Sequence, residues 1–126
     1  MGIKYKNHDQ YPDAILVRDF IGEVGVHQII ESWEYLIGKN LIKDSTRGVI
    51  NNLLGCDLCM DMNSFRTLIS FLKKQEHLAK IKLAVICDKP ETIVFPALGE
   101  KKETELQIKP FSTMDAAVSW VMDDLY

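Results

Sequence analysis

At 126 residues, with 47% apolar and 26% charged side chains, the chain has the size and composition of one globular domain with its own core, which excludes a disordered, collagen-like or disulfide-dependent scaffold. Its net charge of -3 leaves no basic footprint for nucleic acid, and no apolar run approaches the roughly 20 residues that span a bilayer. The polar start MGIKYKNHDQ lacks the apolar core of a secretory signal, so a cytoplasmic location is expected, with Cys56, Cys59 and Cys87 as reduced thiols.

A first extended piece is predicted over Ile3 to Asn7, and Pro12-Asp13 marks a turn into AILVRDFIG (14–22), whose branched apolar residues read as the second strand of a hairpin. From Val26 the spacing changes. Val26, Ile29, Ile30, Trp33 and Ile37 fall on one stripe of a helix that ends near Gly38. GVINNLL (48–54) is a short strand followed by a polar loop, GCDLCMDMNS, and Phe65, Leu68, Ile69 and Leu72 return to helical spacing until about Leu78. IKLAVICD (81–88) is nearly continuous in apolar residues, as expected of a central strand covered on both faces.

Pro90 suits a first helical turn, and ETIVFPALGEKK continues as a helix that Pro96 interrupts. ELQIKPF (105–111) is the last strand. STMD (112–115) then has capping-box form, with Asp115 at the third helical position, and Ala117, Val118, Val121 and Leu125 share one side of the final helix with Trp120 beside them. The order β-β-α-β-α-β-α-β-α predicts one layered α/β domain: a mostly parallel sheet, an antiparallel edge hairpin and about four helices.

FIGEVGVHQI passing from strand to helix, GVINNLLG before the polar loop, IKLAVICD and the closing IKPFSTMDAAVSWVMDD together resemble STAS domains, in particular their SpoIIAA-like branch, which is sometimes grouped with Sec14-type folds. The likeness covers nearly the whole chain and rests on patterns of apolar residues, not on catalytic signatures. In the anti-sigma-factor antagonists of that family, a strand ending near Asp or Asn leads to an Asp-Ser-Ser-Gly helix start, where one serine is phosphorylated to control partner binding. By resemblance, Asn52 is the strand-end residue here, and Asp61-Met62-Asn63-Ser64 occupies the motif after one inserted loop residue. Asn63 then stands at the acceptor position. An amide takes no phosphoryl group, and only the neighbouring Ser64 offers a hydroxyl.

The C-x-x-C of Cys56 and Cys59 raises metal or redox chemistry. A zinc site wants four Cys or His ligands in close pairs, and a lone Cys87 with scattered His8, His27 and His77 does not supply them. Cys56 also lies too early for the helix N-terminus that a thioredoxin-like pair needs. Structural thiols are the expectation, with no metal and no cofactor. The best caps for the helix carrying Phe65 are Asp61 and Asn63. Asn51, Asn52, Asp61, Asn63 and Asp88 are expected near the carboxyl ends of neighbouring strands, where open α/β sheets place ligands, yet no Ser-His-Asp set or glycine-rich phosphate loop accompanies them, so solvated strand-end and loop residues are the first expectation.

TIVFPALG (92–99) carries more apolar residues than one kinked helix turns toward a sheet; core packing is the first expectation, and a partner groove or an apolar crevice around Phe95 and Leu98 is the alternative. The expected function is a non-enzymatic regulatory or protein-binding module using Asn52, Asp57, Asp61, Asn63, Ser64, Phe95 and Leu98. A small carrier or sensor for an apolar, lipid-like ligand is the alternative.

Overall fold

The computed structural model of the chain describes residues 2–89 and 106–123. Strands β1 (Gly2–Asn7) and β2 (Ile15–Gly25) form the expected antiparallel hairpin, in register from Gly2 opposite Ile21 to Asn7 opposite Leu16. His8 shapes the turn between them, its Nδ1 accepting from the backbone N–H groups of Gln10 and Tyr11. There follow helix α1 (Val26–Gly38), strand β3 (Gly48–Asn52), a short strand β4 (Cys56–Cys59), helix α2 (Met62–Lys73), a 3-10 turn (Glu76–Lys80), strands β5 (Lys82–Ile86) and β6 (Gln107–Phe111), and helix α3 (Met114–Met122).

The main sheet runs β1-β2-β3-β5-β6, parallel throughout except for the β1 edge, and β4 pairs with the far end of β2. The period of two along each strand sorts the core into two layers. Leu16, Val49, Leu83 and Ile108 are neighbours across four strands on the face under α1 and α2. Val17, Ile50 and Ala84 face the other way, against Ala117 and Val121 of α3. β5 is central and covered on both faces, as its continuous apolar run predicts.

Several boundaries differ from the sequence reading. β2 continues to Gly25, because its end is held by pairing with β4. The helix expected to reach Leu78 stops at Lys73; Gln75 turns extended, and the 3-10 turn that follows carries Leu78 into the core. The cap of α3 is Thr113, whose hydroxyl accepts from the Ala116 N–H, so Asp115 stands at the second helical position instead of the third. On α1 the buried stripe is Ile29, Ser32, Trp33 and Leu36. Three α-helices, where about four were expected, lie among the described residues; the interrupted helix around Pro96 falls outside them.

The α3 layer is fastened by unusual means. Lys82 is buried, and its Nζ donates to the Trp120 and Asp123 carbonyls at 2.7 Å each, placing a cation on the carbonyl end of the helix. Gly48 lets the helix sit this close: a Cβ there would stand 2.7 Å from both the Lys82 carbonyl oxygen and a methyl of Val121.

Candidate functional site

The stretch expected to be a polar loop contains a strand. Asp19 pairs with Asn52, but Gly22, three residues on along β2, pairs with Cys56, four residues on from Asn52. One residue is therefore in surplus, a bulge taken up in the turn 53–55, where the Gly22 N–H donates to the Gly55 carbonyl at 3.1 Å. Past the bulge, Cys56 and Leu58 face the α1–α2 core as Val49 and Leu53 do.

This settles the geometry of the C-x-x-C. Residues three apart in a strand point to opposite faces, and accordingly Cys56 is buried while Cys59 is exposed. Burial pushes the Cys56 thiol up to about 11 and raises Cys87 as well. Among the described residues no group of three or more His, Cys, Asp or Glu is placed to hold a metal ion.

The polar residues singled out from the sequence are spread along the β4–α2 edge. Asp61 is the N-cap of α2: its carboxylate accepts from the Ser64 N–H at 2.8 Å, and that bond lowers its pKa. Asn63 is exposed in the first turn, and Ser64 is half-buried. Asp57 is exposed and meets Lys89 Nζ at 2.6 Å. Asn52 points back, its Nδ2 donating to Asp19 at 3.0 Å while its Oδ1 accepts from the Leu54 N–H. Asn51 is no solvated strand end; it is buried, because the β3 alternation turns it toward α1. Phe95 and Leu98 lie outside the described residues.

Asn51 leads to a residue the sequence reading passed over. Arg18, on β2, is 2% exposed in the same layer. Its Nε donates to Asn51 Oδ1 at 2.7 Å and its Nη1 to Ser32 Oγ at 2.8 Å, and Ser32 Oγ also accepts from the Tyr5 hydroxyl. The guanidinium lies against the rings of Trp33 and Phe20, 4.0 and 4.9 Å from their centres. Burial pushes it down to about 9, which still leaves a cation at neutral pH. Arg18 also forms part of the wall of a cavity of about 80 Å³ between the sheet and α1–α2, whose other walls include Trp33, Leu58, Met60, Phe65 and Leu68. The signal was present in the alternation Leu16-Arg18-Phe20, which places the arginine on an apolar face.

No protein-family model and no curated protein matches the sequence. Among solved structures, the chain is similar to an uncharacterised DUF3478-family protein with a SpoIIAA-like fold from Shewanella loihica PV-4, with TM-score 0.66 and 16% identity over 95% of this chain and 93% of that one. It is also similar to the anti-sigma factor antagonist SpoIIAA in its unphosphorylated form, with TM-score 0.57 and 14% identity over 95% and 97% of the two chains. At such identities the likeness is one of fold. The chain has a SpoIIAA-like α/β fold, as its sequence resemblance implied.

Proposed function

We propose that the protein is a non-enzymatic regulatory module that binds a protein partner through the β4–α2 edge. The observation that carries this reading is the exposure of Leu54 and Met62, at 45% and 43%, on either side of β4 and beside the exposed Asp57, Asp61 and Asn63. Large apolar side chains rimmed by polar ones are the usual make-up of a contact surface. The likeness to an anti-sigma factor antagonist supports a partner-binding role. A non-catalytic reading is supported by the commitments of the polar groups: Asp61 caps a helix, Asn52 shapes a turn, and His8 holds another.

The test is capture from native extract with the wild type and with a Leu54→Glu/Met62→Glu variant whose circular dichroism is unchanged. A protein retained stoichiometrically by the wild type and lost by the variant supports the reading. Equal retention by both removes this edge from the binding surface. A second reading, capture of a small apolar ligand, is favoured by one observation, the cavity under α1 and α2.

A further inference from the structure

We infer that this cavity receives a small amphiphile with a single carboxylate, which Arg18 holds at the inner end; the inference rests on the second reading above. A guanidinium withdrawn from water is costly unless it is paired, and the partners of Arg18 are neutral: one amide oxygen, one hydroxyl and two aromatic faces. Among the described residues no carboxylate pairs with it, and its Nη2 donates to none of them. Among the described residues no fully buried side-chain nitrogen or oxygen lacks a partner, so Nη2 keeps some accessible surface, and Arg18 forms part of the cavity wall.

The remaining described lining is apolar apart from Asn51, which fits a hydrocarbon, and a fork-shaped cation fits a planar carboxylate. A phosphate dianion fits poorly, because Arg18 is the one cation among the described lining residues. Size narrows the class further. At about 80 Å³ the space is smaller than the ~150 Å³ cavity that takes benzene, so it accepts the carboxylate and its first carbons, with a longer tail passing out beside the half-buried Leu58, Met60 and Phe65.

Octanoate, methyl octanoate and 1-octanol are titrated by calorimetry into the wild-type full chain and into Arg18→Met. The expected result is saturable binding of octanoate, about tenfold or more tighter than the ester or the alcohol, and loss of that advantage in Arg18→Met. Should Arg18→Met not fold, the comparison of the three compounds on the wild type decides alone. Equal binding of all three overturns the carboxylate and leaves the apolar-ligand reading standing. Binding of none overturns both.

Discussion

The guanidinium of Arg18 lies 4.0 Å from the centre of the Trp33 ring, so a strand of the sheet presents its charge to the core helix and not to solvent. Two opposing energies follow for its removal. Arg18→Met orphans the Asn51 acceptor, at a cost of about 1–3 kcal/mol, and relieves a desolvated charge, which offsets part of it. Urea unfolding at pH 7 is expected to place Arg18→Met within about 2 kcal/mol of the wild type. A loss beyond about 4 kcal/mol would show that the guanidinium holds the fold together by itself.

Thiol chemistry should separate the cysteines. At pH 8 iodoacetamide is expected to add once to the native protein, at Cys59, and three times after denaturation, because Cys56 and Cys87 are buried and held as thiols. Intact mass reads this directly. With the folded pKa of Cys56 raised from an ordinary 9.0 to about 11, the unfolded chain releases its proton first. Its contribution to stability is therefore complete below about pH 9 and is lost as the pH climbs through 11. A Cys56→Ala variant should show a shallower fall over that window.

The helix start that resembles a phosphorylation motif should not respond to an anti-sigma-type kinase. Asn63 has no hydroxyl, and the Asp61 carboxylate, bonded to the Ser64 N–H, already occupies the site that a phosphate on Ser64 would seek. Incubation with such kinases and ATP should leave the mass unchanged. One phosphate added at Ser64 would mean that the switch has moved along by a residue.

Gly48→Ala is expected to cost about 1–3 kcal/mol or more, since its Cβ would meet the Lys82 carbonyl oxygen at 2.7 Å. Adding Val121→Ala removes the second clash but not the first. The double variant should therefore not regain wild-type stability; full recovery in thermal unfolding would place the conflict in the side chain alone.

The fold was legible where the cause is local. Helical spacing in α1 and α2, the continuous apolar run of β5 and the Asp61 cap all depend on neighbours in sequence. Strand β4 was not, because CDLC alternates out of phase with GVINN and becomes a strand only through Gly22 to Gly25, more than thirty residues away. The place of Arg18 was hidden for a similar reason. Its alternation with Leu16 and Phe20 was readable, but the partners that make the burial tolerable, Ser32 and Asn51, come from two other elements. Ser32 interrupts the apolar stripe of α1, and its hydroxyl is satisfied there by Tyr5 and Arg18.

The surplus residue between Asn52 and Cys56 makes a deletion informative. Removing Leu54 would leave Cys56 three places beyond Asn52, matching the three places from Asp19 to Gly22, so β3 and β4 would join as one uninterrupted partner of β2. Val49, Asn51, Leu53, Cys56 and Leu58 would keep their inward phase, and the wall beside Arg18 would stay in place. Only the outward bump with its exposed leucine would vanish. Shortening the chain by a single residue thus divides the molecule's two candidate activities: recognition at the rim loses its leucine, and capture beneath the helices is left whole.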